Sequence, residues 1–463
     1  LASTQTADEA SKVYAELHRT PPTARLLYVT PERLQQSMHL RNALAKLHAA
    51  GLVERLVIDE AHCVVSWGKD FRPDYLALGQ LRADLPGVPT TLLSATLPPP
   101  MRSELLETLG LVPSEVVVVQ SELDRPNLHY EVWPKLAPRA AVDQIAEMLN
   151  AAPTGEGCAI VYCHSQAESE RVCDALNERD ITAAFYHAMV DPEIKRLNHQ
   201  RWASNEVQVM VATSAFGMGV HKGDVRFVVH WTVPDSIISL FQEWGRAGRD
   251  GEPARCVLLY TYRDKGRVEA LLRRSPRDLK PRLQRLLELV DLCEDTTGCR
   301  RARMLKALGS DTPPATADET EARRFDRCCD NCSSSGQGSR EEDVSTLAAA
   351  AIRAVSRMSS ALSFGQLEKL LRGSRERRLL ADGHNTLPEY GAARRLGRAE
   401  LPRLLRMLIT RRMLREDCLP SAHGGFSSRL YLGAQVGLPW GGGEGVTGAS
   451  FSVMEPPLPG TVM

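Results

Sequence analysis

Two adjacent carboxylates, Asp59 and Glu60, follow the apolar residues Leu56, Val57 and Ile58 in the stretch RLVIDEAHCVVSWGKDFRPDY (55–75). An apolar strand that ends in acid places both groups in the crevice where open α/β sheets bind ligands. Such a pair supports a Walker B arrangement, with Asp59 holding Mg²⁺ through water and Glu60 orienting the water that attacks a γ-phosphate. A solvated strand end would carry the same two residues, so the reading needs company elsewhere. Ser94 to Thr96 (SAT) close another apolar run and bring hydroxyls able to bond neighbouring carboxylates. In QEWGRAGRDG (242–251), Arg246 and Arg249 lie three apart, which on a helix puts both guanidiniums on one face. Planar cationic forks are what a transferring phosphoryl group requires as its charge develops. In ATSAFGMGVHKGDVR (212–226), Gly217 and Gly219 allow backbone to approach a ligand closely.

A few residues beyond Glu60 stand Trp67, Phe71 and Arg72. Aromatic faces stack unpaired bases at about 1–3 kcal/mol each, whatever the base, and a loop placed here could report strand occupancy to Glu60. Packing of Trp67 and Phe71 into a core is the competing reading, but Lys69 and Arg72 would sit badly there. Farther on, Cys329 and Cys332 have the C-x2-C spacing that grips one face of tetrahedral Zn²⁺, with Cys299 and Cys328 available to complete four ligands. Adjacent Cys328 and Cys329 would have to splay to reach one ion, and Asp326 offers an oxygen in place of Cys328. Cys293 reads as a helix-packing residue.

The elements that must carry these groups are short β-branched runs separated by amphipathic segments of helix length. RLLYVT (25–30), RLVID (55–59), TTLLSAT (90–96) and EVVVVQ (115–120) are continuously apolar, as parallel strands buried on both faces are. The rhythm restarts with CAIVYCHS, TAAFYH, VQVMVATS, VRFVVHW and ARCVLLYT, between 158 and 261. Two successive parallel α/β sheets are expected, 1–122 and 123–263. A helical, cysteine-bearing segment follows over 264–335. SSSGQGSREED (333–343) has linker composition, and a small helical domain within 336–436 closes in a hairpin around SAHGGFSSRLYL, with His423 or Phe426 at its tip. The Gly- and Pro-rich residues 437–463 read as a disordered tail.

Lys plus Arg and Asp plus Glu number 57 each, so no global field draws the chain to polyanions. The charge is uneven, however: residues 351–430 hold 16 Lys plus Arg against 7 Asp plus Glu, an excess of 9. No run approaches the length of a membrane span, and the amino terminus lacks a secretory pattern. Eleven cysteines with a single local cluster suit reduced thiols and an intracellular compartment.

In order, LLYVTPERL, VIDEAHCVVSWGKDFRPDY, LLSAT, IVYCHSQAESE, FGMGVHKGDVRFVVHW and QEWGRAGRDG resemble the RecQ family of ATP-dependent DNA helicases, over about residues 1 to 435. The resemblance implies two RecA-like lobes, the first incomplete here, followed by a helical zinc-binding subdomain and a winged-helix domain. It implies use of ATP, Mg²⁺ and Zn²⁺, 3′-to-5′ movement along single-stranded DNA, and unwinding of forked duplex in DNA repair, recombination and replication. Asp59, Glu60, Arg246 and Arg249 match the family's catalytic groups. His62, Ser94, Thr96, Gly217, Gly219 and Gln242 match positions that couple ATP to movement. Trp67, Phe71 and Arg72 match the aromatic-rich loop. Cys299, Cys328, Cys329 and Cys332 match the zinc module, although the second ligand usually stands apart from the final pair. The Arg-Gly-Ser stretch that lines a winged-helix segment contacts duplex phosphate in the family, making Arg372, Ser374 and Arg375 the candidates here, with Arg394 and Arg395 behind them. The compartment implied is the nucleus in a eukaryote and the nucleoid otherwise.

Departures from the family pattern are Ser66 where glutamine is usual, Lys69 for histidine, His221 for aspartate, and Trp244 for a small residue. Ser66 and Lys69 fall in the coupling loop. No G-x-x-x-x-G-K-[ST] phosphate loop occurs in these 463 residues. The expectation is that this segment alone binds DNA but hydrolyses ATP poorly. The alternative is a DNA-binding module that uses only its zinc and winged-helix parts, but retention of paired acids and arginine forks favours a motor.

Overall fold

The computed structural model describes residues 1, 5–19, 21–66, 73–151, 157–217, 220–274, 278–310, 328–334, 339–358, 360–420, 426–435 and 450–454. The chain divides into two compact units, Leu1–Leu123 with Ala307–Ser310, and Asp124–Lys306 with Asp311–Met463.

In the first unit, helix Ala7–Leu17 starts at a capping box, Thr6 accepting from the Glu9 amide while the Glu9 carboxylate accepts from the Thr6 amide. Strand β1 (Leu56–Ile58) pairs in parallel with β2 (Thr90–Leu92), Leu56 opposite Thr90. Helices Met38–Ala49 and Pro73–Asp84 and the short helix Cys63–Ser66 surround this ladder in the chain. The runs at 25–30 and 115–120, expected as strands, are not strands. Leu26, Tyr28 and Val119 are 76%, 80% and 92% exposed. Apolar β-branched composition makes a strand only where a neighbouring ladder accepts its amides. The backbone of 28–30 bonds instead to Leu1, through its amino group and its carbonyl. A 3₁₀ turn, Pro113–Glu115, interrupts the second run at its start.

The second unit is built on a six-stranded parallel sheet. Its strands are β3 (Leu128–Pro134), β4 (Cys158–Tyr162), β5 (Ala183–Tyr186), β6 (Val209–Ala212), β7 (Val225–His230) and β8 (Ala254–Tyr260), in the order β3-β8-β7-β4-β6-β5. Successive residues serve opposite faces: Ile160, Met210, Val228 and Leu258 enter one buried cluster, and Val161, Val211, Val229 and Val257 the other. Burial on both sides is why these strands are apolar throughout. β3 escapes sequence reading because it lies at the edge and alternates, with Glu131 on Arg255 at 2.7 Å. The opposite edge, β5, is blunted by Asn177, whose side chain bonds both the amide and the carbonyl of Ala183.

Helices Tyr262–Leu272 and Leu279–Glu294 lead to the cysteines, and a third core gathers helices Ser345–Arg357, Phe364–Arg372 and Glu400–Thr410. That core closes with β10 (Leu414–Pro420) antiparallel to β11 (Phe426–Leu432). Phe426 pairs with Pro420 at the open end, and His423 lies outside the described residues. Composition assigns 333–343 to a linker and 437–463 to disorder, yet β9 (Ser339–Asp343) pairs antiparallel with β12 (Ser450–Met454). Five residues of SFSVM suffice for a ladder once a partner is at hand, and Gly- and Pro-rich flanks conceal them. No described helix is long and apolar enough to cross a membrane.

Candidate functional site

β1 stops at Ile58, and Asp59 and Glu60 follow where the strand gives way to a turn. Glu60 takes a φ of 49°, a left-handed conformation uncommon for a residue with a side chain. Its amide donates to Asp59 Oδ1 at 2.9 Å, and its carbonyl accepts from Cys63 N at 2.8 Å. The Ala61 amide reaches Leu93 O at 2.8 Å, tying the turn to the end of β2. His62 is buried, with Nδ1 3.0 Å from Ser94 Oγ and 3.4 Å from Glu60 Oε2. Ser94 Oγ donates to Thr96 O at 3.0 Å, so it accepts from His62, which carries its proton on Nδ1. Burial lowers the His62 pKa, while Glu60 and Asp59 pull it the other way. The Ser94 hydroxyl therefore serves the histidine and the chain, not a carboxylate as its position in sequence had suggested. Thr96 is buried beside it. Trp67, Phe71 and Arg72 lie outside the described residues.

In the second unit, helix Ile237–Trp244 starts on a Ser236 cap and carries Gln242 in its last turn. The expectation that Arg246 and Arg249 share a helix face does not hold. The helix ends at Gly245, and turns run on to Asp250 through Gly248 at φ 52°. The two guanidiniums part company. Arg246 is half-buried, and its Nη2 would stand 3.3 Å from a Cβ at position 217. Gly217 thus provides a close approach, to an arginine of the same unit. Arg249 is exposed and donates to Gly245 O (3.3 Å), Val220 O (3.0 Å) and His221 Nδ1 (3.3 Å). Gly219 lies outside the described residues.

The thiols of Cys299, Cys328, Cys329 and Cys332 converge, all four sulfurs lying within 4.8 Å of one another. Cys299 and Cys328 are 3.4 Å apart, and Cys328 and Cys332 3.7 Å. Tetrahedral Zn–S bonds of 2.3 Å would space sulfurs by about 3.8 Å, so the donor set suits Zn²⁺. Hydrogen bonds from Cys299 and Cys328 hold the Cys329 thiol far below its ordinary range, and burial opposes them. Asp326, the alternative ligand, lies outside the described residues, and Cys293 packs in the core as expected.

Sequence reading missed how this cluster is anchored. Tyr130 of β3 bridges to Cys329 and donates to Cys328 O at 3.3 Å, and Val132 N donates to Asp330 Oδ2 at 2.9 Å. Arg300 reaches both Asp330 and Asn331, and buried Arg301 bonds Leu128 O. The Arg-Arg pair directly after Cys299 is the one signal that marked this anchor in advance. Also missed was buried Lys265, which bonds Glu269 and Glu416, each at 2.9 Å, joining helix Tyr262–Leu272 to β10.

In the C-terminal core, helix Phe364–Arg372 opens on a Ser363–Gln366 capping box and ends at Gly373, φ 70°. Arg372 was expected to meet phosphate. Its guanidinium instead donates to Leu396 O (3.2 Å), Gly397 O (3.1 Å), Arg398 O (2.8 Å) and Glu368 Oε1 (3.3 Å). Four of five N–H groups committed within the domain make it a brace. Arg394 packs over Tyr390, against Gly373 and Gly391. Arg375 is exposed, Ser374 is half-buried, and Ser374 Oγ accepts from Glu376 N at 3.4 Å.

Four family descriptions match in order: DEAD/DEAH box helicase over 1–103, helicase conserved C-terminal domain over 140–251, RecQ zinc-binding over 262–333, and RQC domain over 338–434. The chain is 35% identical over 440 residues to ATP-dependent DNA helicase Q-like 4B of Arabidopsis thaliana, covering 91% of this chain and 37% of that protein. It is 35% identical over 410 residues to RecQ-like DNA helicase blm-1 of Caenorhabditis elegans, covering 86% and 40%. To ATP-dependent helicase SGS1 of Saccharomyces cerevisiae it is 32% identical over 414 residues, covering 88% and 28%. The chain thus spans less than half the length of these relatives. Among solved structures, yeast Dbp5 bound to RNA and ADP BeF3 is similar at a TM-score of 0.39 and 14% identity, over 52% of this chain and 62% of that one. With helicase, RecQ zinc-binding and RQC segments in one order along it, this chain belongs to the RecQ family of DNA helicases.

Proposed function

We infer that this chain is the motor and DNA-binding core of an ATP-dependent helicase that moves 3′ to 5′ on single-stranded DNA and opens forked duplex. It would serve repair, recombination and replication in the nucleus. The observation that carries the reading is the turn after β1. There Asp59 and Glu60 stand side by side at a strand's carboxyl end, with Glu60 held left-handed and next to a neutral His62.

Asp59 would hold Mg²⁺ through water, which when bound neutralises phosphate charge. Glu60 orients water toward the terminal phosphorus. His62, buried between Glu60 and Ser94, fixes that carboxylate relative to the end of β2 and Thr96. Arg246 and Arg249 supply the positive charge that a transferring phosphoryl group requires. Gln242, Gly217 and Gly219 belong to the same coupling machinery. Trp67, Phe71 and Arg72 stack and grip unpaired bases. Zn²⁺ on Cys299, Cys328, Cys329 and Cys332 would serve structure, since four thiolates leave no open position for substrate. Ser374 and Arg375 remain the candidates for duplex phosphate. By this reading the lobes span 1–122 and 123–263, the zinc subdomain 264–335 and the winged helix 336–436.

The test is Mg-ATP hydrolysis by the full-length protein with and without single-stranded DNA. Glu60→Gln is expected to lower turnover by about 100-fold or more while ATP still binds, as loss of a group acting only in the transition state does. Trp67→Ala is expected to keep basal turnover and lose DNA stimulation. Wild-type turnover in Glu60→Gln would overturn the assignment.

A further inference from the structure

Behind Arg246 three side chains and one backbone bond form a ring that no assigned role accounts for. Tyr162 and His230 are cross-strand partners at the carboxyl ends of β4 and β7, their rings stacked at 5.2 Å and 25°. His230, 1% exposed, places Nε2 2.6 Å from Glu243 Oε2 in the last turn of helix Ile237–Trp244. The carbonyl of the same Glu243 accepts from the Arg246 amide at 3.3 Å. Buried Tyr162 donates its hydroxyl proton to Phe216 O at 2.8 Å, and the Arg246 guanidinium packs against the next residue, Gly217, within reach of that hydroxyl. Nδ1 of His230 is buried without a partner, so Glu243 is the imidazole's one hydrogen-bond partner among the described residues.

We propose that Tyr162, His230 and Glu243 are positioning residues for Arg246, fixing its guanidinium to the loop that precedes Gly217. The ring connects four pieces of backbone: two strand ends, the turn after a helix, and the 213–217 loop. His230 anchors the residue that sets where Arg246 leaves the helix, and Tyr162, bonded to Phe216 O, links that loop to the guanidinium packed on Gly217. A shift of the loop is thereby transmitted to the arginine through one hydroxyl. The functional half of this inference rests on the reading of Arg246 as a phosphate-facing group; the geometric half does not.

Both halves are tested on the full-length protein. Phenylglyoxal labelling, resolved by residue with mass spectrometry, reports how firmly Arg246 is held, with Arg255 of β8 as internal control. Tyr162→Phe and Glu243→Ala are expected to speed Arg246 labelling several-fold and leave Arg255 unchanged. Glu243→Gln, whose carbonyl can still accept from His230, is expected to stay near wild type. In DNA-stimulated ATP hydrolysis, Tyr162→Phe is expected to lower kcat about tenfold, the size of one lost bond to a charged group, with KM for ATP within about twofold. It should add nothing in an Arg246→Ala background. Unchanged Arg246 labelling in Tyr162→Phe and Glu243→Ala overturns the inference, as does a Tyr162→Phe defect that multiplies with Arg246→Ala. Full turnover in Arg246→Ala, with labelling altered as expected, instead refutes the assignment of Arg246 and leaves the ring standing.

Discussion

Removing the Lys265 ammonium is expected to destabilise the packing of β10 against helix Tyr262–Leu272. Lys265 lies on the helix that directly follows β8, and its side chain is 3% exposed, Glu416 on β10 4%. Burial pushes the Lys265 pKa down, but Glu416 and Glu269 more than reverse this, so the ammonium is charged. In Lys265→Met, Glu269 keeps Arg273 at 2.7 Å and the Cys418 amide at 2.9 Å. Glu416 keeps the Tyr262 hydroxyl at 2.7 Å and loses its cation. Breaking a buried pair by removing one partner costs about 3–5 kcal/mol, and with Glu269 still paired the lower end, about 3 kcal/mol, is expected. The pH dependence has a definite sign. Burial raises the Glu269 pKa, but Lys265 and its hydrogen bonds bring the net value below the ordinary 4.5. Its contribution to the wild type is therefore present above that pH and lost as pH falls through the folded value. In the variant Lys265 no longer holds Glu269 down, so acidification through that range shrinks the difference from wild type. Urea denaturation at about pH 7.5 and about pH 3.5 should show a deficit that shrinks in acid. Adding Glu416→Leu should restore most of the loss at neutral pH, since an apolar replacement of a buried pair is often neutral. A deficit below about 1 kcal/mol, or one equal at both pH values, would refute the argument.

Three further outcomes are expected. His62 is held below its ordinary 6.5 by burial, against Glu60 and Asp59, so its contribution to the first unit is complete above that pH and is lost as pH falls toward the folded value. Thermal melts from pH 8 to about pH 5 should show that loss in the wild type and a smaller one in His62→Gln. Cys329→Ser, or strong chelation, should release one Zn²⁺ per chain and speed hydrogen exchange at Tyr130 and Val132, whose amides bond Cys328 O and Asp330; unchanged exchange would show the anchor to be independent of metal. Arg375→Ala should weaken DNA binding and reduce its salt slope by about one unit, whereas Arg372→Ala should lower melting temperature with little change in that slope.

Much of the second unit was legible because its strands are buried on both faces and its residues advertise that in continuous apolar runs. The same signal misled in the first unit. Valines 116–119 read like a buried strand but have no described ladder partner, and sequence cannot say whether a neighbour accepts a strand's amides. β3 was hidden for the opposite reason: its edge position lets Glu131 and Arg255 interrupt the pattern. At the site, residue types were legible and directions were not. The spacing of Arg246 and Arg249 holds, but the helix stops at Gly245, before either arginine, and the chain turns through Gly248 between them. Arg372 was chosen for its charge, which the fold uses to brace Leu396, Gly397 and Arg398, a role that depends on residues 24 to 26 positions away.

The groups most suited to chemistry sit just past the point where regular structure stops. Glu60 follows β1 in a left-handed turn, and Arg246 follows helix Ile237–Trp244 in a turn built on glycine. A non-glycine residue held left-handed costs about 1–3 kcal/mol, which persists only where neighbours fix the backbone. Here Ala61 bonds Leu93 O and His62 bonds Ser94, so the second strand holds the first strand's acid in place. The conformation matters because a strand continuing regularly would send the Asp59 and Glu60 side chains to opposite faces. The tyrosine–histidine–glutamate ring does for Arg246 what the His62–Ser94 bond does for Glu60. In each unit a buried histidine lies against a glutamate, Glu60 just past the end of β1 and Glu243 in the helix turn from which Arg246 departs. Movement of the backbone beyond either histidine would reach the chemistry through a single side chain, a physical route by which DNA contact could alter hydrolysis without any group having to touch both.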